Sequence, residues 1–509
     1  MADQTITPLV EEIIRESERI RILVVGKTGV GKTSLIKKAF NVETLQASHD
    51  RVGISNIEDE IISEENDRFV IHDSQGYEPG DPTKFQQLQD FIEKRSGAVK
   101  LADKIHVIWL CIATPYAGGR VLETGTEQLL KSVPKDIAMV VVFTKYDELV
   151  DSEMMEIEDN DPDIDEEALI ESSEAKAATS FDVSCVGPLK RFMTRTGCSM
   201  PPYTKVSTEK TYESTLSELV RTTEKQIELL MRSTSEAEEP SEEPSNVMDS
   251  TPASLMAMAQ MVDVDTKVNL VIRVGKQSRF LNSPLLEELL TTFLEYWRGL
   301  ASSTHFPGLG LRACLTVLHK DIVVPWNIND PQKFLLSEEF ESSITQLVGG
   351  SVKSGDLSAA GKHMSKSIGL AGSLAGVGGA AAGPLAPIVA PAVFAGVLFA
   401  HWAYETYKST PDTVRCLMSY IIHLFNIMQG IFYHTLPSPG YRVSRERTQT
   451  IVEEYQESSV YSNLCEEIDQ FINKTKTFQL YGSKDHVLEK LEELSRKYRF
   501  MPGSTENNT

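Results

Sequence analysis

The segment Gly26–Thr33, GKTGVGKT, constrains this chain more than any other, because it fixes a strand, a loop and a helix together. The β-branched run RILVV at 21–25 leads straight into it, and SLIKKAF at 34–40 follows with helical spacing. In the pattern G-x-x-x-x-G-K-[ST], glycines let the backbone turn tightly, so that successive N–H groups face one point at the positive end of the next helix. That arrangement is built for phosphate. Gly26, Lys27, Thr28, Gly29, Val30, Gly31, Lys32, Thr33 and Ser34 are therefore candidate phosphate-binding residues. Lys32 is expected to bridge the β- and γ-phosphates in a catalytic role, and the Thr33 hydroxyl to reach Mg²⁺.

Further apolar runs alternate with helical patterns: RFVIHD at 68–73, HVIWLCIAT at 106–114, MVVVFTK at 139–145 and a shorter TKVS at 204–207. This alternation predicts an α/β fold with crossover helices around a mostly parallel sheet. The weaker IEDEIIS at 57–63 turns back into the 68–73 run, which predicts one antiparallel edge in a six-stranded sheet.

The strand at 68–73 ends in Asp73, the first residue of DSQG, where a carboxylate can hold the same Mg²⁺ as Thr33. Gly76 can offer its N–H to a γ-phosphate, so its loop would sense nucleotide state and act in catalysis. At the end of the 139–145 strand stands TKYD, Thr144–Asp147. An Asp accepts two hydrogen bonds from the ring N–H and exocyclic amine of guanine, a donor pair adenine lacks, so Asp147 selects GTP and GDP. Lys145 can lay its stem across the base, and Thr144 can tie this strand end to the phosphate loop. Ser207 or Thr208, closing the last strand, could place a backbone N–H near the guanine keto oxygen.

GKTGVGKT, DSQG and TKYD, in this order, resemble the Era-like and septin-like branch of the translation-factor-related P-loop GTPases. HVIWLC at 106–111 and Ala117–Arg120, AGGR, make the likeness greatest to fungal G-domain-containing proteins. The resemblance spans about residues 20–230 and implies a GTP-hydrolysing conformational switch. Two departures stand out. The segment 47–57 holds no Thr to bind Mg²⁺ in the first effector loop, which leaves Ser55 as the substitute. Tyr77 follows Gly76 where Ras-like enzymes place a water-orienting Gln, so unaided turnover should be slow, on the order of 10⁻⁴ to 10⁻² s⁻¹. A partner, or pairing of two G domains into a homodimer, would complete the site. The alternative is a GTP-binding scaffold that does not hydrolyse.

The rest of the chain divides by composition. Residues 1–20 read as an amphipathic leader helix (Leu9, Ile13, Ile14) and 21–231 as the G domain, with twelve carboxylates and no Lys or Arg between Asp151 and Glu174 forming a solvated insertion. Within it DNDPDIDEE lacks the turn glycine of a calcium loop. The Ser/Pro/Glu-rich stretch 232–252 reads as a disordered linker, and 253–509 as an α-helical domain. Inside that domain, 367–404 carries no charged residue and places Gly372 and Gly376, and Gly379 and Gly383, four apart. It would serve for membrane contact or as a buried hairpin, its prolines Pro384, Pro387 and Pro391 breaking it up. With 73 acidic against 50 basic residues and a net charge of −23, nucleic acid is not an expected partner. Six dispersed cysteines and a start without a secretory pattern predict a cytoplasmic protein, membrane-associated if 367–404 meets lipid.

Overall fold

The computed structural model describes residues 8–47, 57–74, 82–115, 121–235, 251–277, 311–351, 415, 417–474 and 486–503. Its chain forms two compact units. One comprises Ile13–Lys267 together with Leu436–Tyr441, and the other Met1–Glu12, Val268–Thr435 and Arg442–Thr509.

The first unit is a sheet sandwiched between helices. In chain order it contains α1 (Leu9–Glu16, shared with the other unit), β1 (Ile20–Val25), α2 (Lys32–Ala39), β2 (Gln46–Ala47), β3 (Ile61–Ile62), β4 (Phe69–Asp73) and α3 (Pro82–Ser96). Then follow β5 (Val107–Ala113), α4 (Thr124–Ser132), β6 (Ala138–Thr144), α5 (Tyr146–Asn160), α6 (Glu166–Phe181), α7 (Gly187–Thr196), β7 (Tyr203–Lys205), α8 (Glu213–Ser235), α9 (Thr251–Ala259) and α10 (Val264–Gln277), which crosses into the second unit. The strand order is β2-β3-β4-β1-β5-β6-β7, parallel from β4 to β7. The expected antiparallel edge is present, with Ile61 opposite Ile71. The sheet has seven strands rather than six, because Gln46–Ala47 adds to β3 as a two-residue strand too short to announce itself by alternation.

β1, β5 and β6 are buried on both faces, which is why they read as apolar runs, broken in β1 only by Arg21. One face packs Leu23, Val25, Ile108, Leu110, Val141 and Phe143 against α3 to α7. On the other, Phe40 stacks on Phe69 at 4.3 Å and the Trp109 indole donates to Thr223 Oγ1 of α8 at 3.1 Å. Each such side chain contributes about 1.5–3 kcal/mol by leaving water.

The acidic stretch 151–174, expected as a solvated insertion, is most of α5 and α6, packed side by side. Asp165 caps α6 through Glu167 N (3.2 Å), and Lys176 reaches back to both Glu153 and Glu156 at 2.9 Å. Leu169, Ala177 and Phe181 turn inward. One basic side chain beyond the acidic run and one apolar stripe suffice to order it, while the carboxylates stay in solvent. The stretch 254–277, helical throughout by its spacing, breaks at Gln260–Asp263 into α9 and α10, where Asp263 accepts from Thr266 N at 3.0 Å and from Arg221.

A charged network lies along this sheet. Arg21 Nη1 pairs with Glu60 at 2.7 Å and donates to His72 Nε2 at 2.7 Å, while the Arg21 backbone N–H donates to His106 Nδ1 at 2.8 Å. Burial pushes both histidines down to about 4. Burial alone would raise the Glu60 carboxyl, but Arg21 overrides it and holds it below its ordinary value.

The described part of the second unit is helical: Leu311–Val323, Glu338–Ser351, 417–435, Arg445–Glu457, Ser459–Lys474 and His486–Lys497. Among the described residues no helix is long and apolar enough to cross a membrane. The polar His423, Asn426 and Gln429 of 417–435 are wholly buried. Residues 367–404 lie outside the described residues, as does most of 232–252.

Candidate functional site

The phosphate-type loop joins β1 to α2, and each glycine in it has its own physical reason. A Cβ on Gly26 would collide with the Cys111 carbonyl oxygen of β5, so the loop leaves the sheet only if residue 26 has no side chain. Gly29 and Gly31 have room around them but sit at φ 80° and 91°, where L side chains are strained. Gly31 directly precedes α2, leaving the first-turn N–H groups without intrahelical acceptors.

Lys32 is buried and curls back over this loop, donating to Gly26 O at 2.8 Å and Lys27 O at 3.1 Å, with Asp73 Oδ1 at 3.6 Å. Asp73 ends β4 beside Val24 of β1, so both lie at the carboxyl edge of the sheet. Thr33, Ser34, Lys27, Thr28 and Gly29 are exposed, while Val30 is buried.

The ends of β6 and β7 meet the same edge. Thr144 Oγ1, buried, donates to the Val30 carbonyl oxygen at 2.6 Å. Lys145 adopts a left-handed turn (φ 60°) that swings the chain from β6 into α5, and its ammonium pairs with Glu148 at 2.8 Å. Asp147 lies in the first turn of α5. Val206 N donates to Phe143 O at 2.7 Å and Tyr146 N to Val206 O at 3.2 Å, which brings Ser207 and Thr208 beside that turn. The Ser207 N–H, however, is taken by Thr215 Oγ1 at 3.1 Å. Gly76 and Ser55 lie outside the described residues.

Phosphate loop, Asp73 and the Thr144–Asp147 turn thus converge on one edge. Lys27 and Glu123 add a pair that no motif announced: the ammonium meets the carboxylate of the residue preceding α4, whose side chain leaves its own helix uncapped. Thr33 and Asp73 supply a hydroxyl and a carboxylate, the hard oxygen donors that suit Mg²⁺. Among the described residues no cluster of three His, Cys, Asp or Glu could hold a metal by itself, so such an ion would need ligand oxygens from elsewhere, as nucleotide phosphates provide. The Cys111 thiol beside the loop is pushed up to about 12 by burial and is inert.

An open cleft elsewhere is lined by Glu466, Glu467, Lys490 and Tyr498. Burial would raise Glu467, but hydrogen bonds from Lys490, Lys497 and Tyr498 hold its carboxyl down to about 2. These partners satisfy one another.

A family described as a domain of unknown function (DUF8505) matches residues 334–507, which lie beyond all three motifs. No curated protein matches the chain. Among solved structures, a mutant of S. thermophilus NFeoB, in a crystal structure bound to GDP, is 10% identical, covers 51% of this chain and 90% of its own, and superposes with a TM-score of 0.23. So low a score leaves the case for the site to the chain's own geometry.

Proposed function

We propose that the chain binds guanine nucleotides with Mg²⁺ at the carboxyl edge of its sheet, hydrolyses GTP slowly, and changes conformation with nucleotide state. The observation that carries this reading is the Thr144–Val30 hydrogen bond, which fastens the proposed base-reading turn to the phosphate loop. Phosphates would take the N–H groups of Gly29 to Thr33, with Lys32 turning from the Gly26 and Lys27 carbonyls to meet them. Thr33 and Asp73 would hold Mg²⁺. Asp147 would accept from guanine, with Lys145 along the base and the Thr208 N–H, rather than that of Ser207, near the keto oxygen.

The test is nucleotide titration of the full chain. GTP and GDP should bind at least about 100-fold more tightly than ATP, since adenine leaves Asp147 unpaired. Lys32→Ala should remove binding, and Asp147→Asn should turn preference toward xanthosine nucleotides. Equal affinity for ATP and GTP would sink the guanine assignment.

A second reading, a scaffold that binds GTP without hydrolysing it, is favoured by Tyr77 following Gly76. Single-turnover hydrolysis above the buffer rate, abolished by Lys32→Ala, would exclude it. The reading also includes a cytoplasmic setting, pairing of two G units, and lipid contact through 367–404. Sedimentation with GDP and with a GTP analogue tests the pairing, and vesicle flotation the lipid contact.

A further inference from the structure

α2 is short, with a length of about 12 Å at 1.5 Å per residue. Its start carries Lys32 and Thr33. Its far end runs out into three consecutive carbonyl groups, those of Ala39, Phe40 and Asn41, of the kind a helix terminus leaves without intrahelical donors. Each accepts from a different remote segment: Ala39 O from Met261 N at 2.9 Å, Phe40 O from Asn66 Nδ2 at 3.1 Å, and Asn41 O from Gly440 N at 2.9 Å.

Two of these donors stand where the chain passes between units. Met261 lies in the turn between α9 and α10, shortly before the crossing at Lys267 and Val268. Gly440 belongs to Leu436–Tyr441, a short excursion into the nucleotide unit flanked on both sides by residues of the other unit. Asn66 bridges, donating also to Ala259 O of α9 at 2.8 Å. The Gly440 turn is fitted closely: at φ 68°, a Cβ there would stand 3.1 Å from the Glu65 carboxylate carbon. That carboxylate is itself held by Glu43 N at 2.6 Å and Thr44 Oγ1 at 2.9 Å.

We propose that the C-terminal end of α2 couples nucleotide state to the helical unit, through the Met261 and Gly440 turns that hydrogen-bond its last carbonyls. This rests on the reading of Gly26–Thr33 as the phosphate seat. When the added γ-phosphate shifts Lys32 and the first turn of α2 from the position they hold on GDP, a helix this short moves as one rod. Its far carbonyls then carry both connecting segments with them. Local unfolding free energies in α10 and in Arg445–Glu457 thereby become dependent on the nucleotide.

Hydrogen exchange of the full chain, loaded with Mg–GDP or with Mg–guanosine imidotriphosphate, tests this. Peptides within 264–277 and 445–457 should differ in protection between the two nucleotides. Gly440→Val should erase the difference at 445–457, and Asn66→Ala that at 264–277, with affinities for both nucleotides within about threefold of wild type because neither residue touches them. Should Gly440→Val fail to fold, Glu65→Ala, which removes the cradle of that turn, takes its place with the same expected loss. Unchanged exchange differences in variants that bind normally would overturn the coupling, as would a wild type that binds both nucleotides and shows no difference. Absence of any nucleotide binding is a separate result and would overturn the proposed function itself, taking the coupling with it.

Discussion

Thr144 shows how much one hydroxyl can hold. It is buried, donates to Val30 O at 2.6 Å, and its backbone carbonyl accepts from Thr114 N at 2.8 Å. Thr144→Val keeps the shape and removes the donor, leaving the Val30 carbonyl buried and unpaired. It should cost about 1–3 kcal/mol of stability. If the loop also loses its position, guanine-nucleotide affinity should fall by about tenfold; denaturant melts and titration read the two effects separately. This tie was legible in the sequence, since a Thr closing a strand beside Lys145 and Asp147 has few other tasks. The need for Gly26 was legible as a turn but not as a collision with Cys111 O, because nothing local tells which carbonyl a neighbouring strand will present. Lys27 and Glu123 were not legible as a pair, being 96 residues apart and joined only by the sheet.

At the scale of elements, strands β1, β5 and β6 could be read almost to the residue, because burial on both faces leaves a nearly continuous apolar run. β2 could not, since two residues carry no period. The acidic pair α5 and α6 misled for a physical reason: carboxylate density measures solvation, whereas order there comes from Leu169, Ala177, Phe181 and one lysine. The break between α9 and α10 depends on Asp263, buried at 4% exposure and accepting from Thr266 N, Thr266 Oγ1 and Arg221. Asp263→Ala should destabilise the first unit by about 2–3 kcal/mol, as loss of a helix cap and of charge-assisted bonds together. An unchanged midpoint in chemical denaturation would show that Gln260, which accepts from Val262 N and Asp263 N, makes the turn alone.

For the whole molecule, pH is a direct probe. His72, His106 and His319 are pushed down to about 4 and His423 to about 3, in each case chiefly by burial. Unfolded histidines take up protons near 6.5, so the unfolded chain binds more protons than the folded one between that value and about 4. Stability is therefore full above pH 6.5 and is lost as pH falls toward 4, by up to about 1.4 kcal/mol per pH unit for each histidine. Relief of the −23 net charge comes mainly as carboxylates protonate near 4, too low to offset this loss. Calorimetric midpoints should drop steadily from pH 7 to pH 5, and His106→Gln should flatten that slope; a flat wild-type profile would contradict the burial of these rings. The acidic helices bear on rate as well. They begin at Tyr146, directly on the turn proposed to read the base, so an incoming polyanion must approach a negatively charged flank. Screening within a Debye length of about 10 Å at 0.1 M salt should ease that approach. Nucleotide capture by this chain is then expected to quicken as salt is added in stopped flow, the reverse of what an electropositive cleft would do.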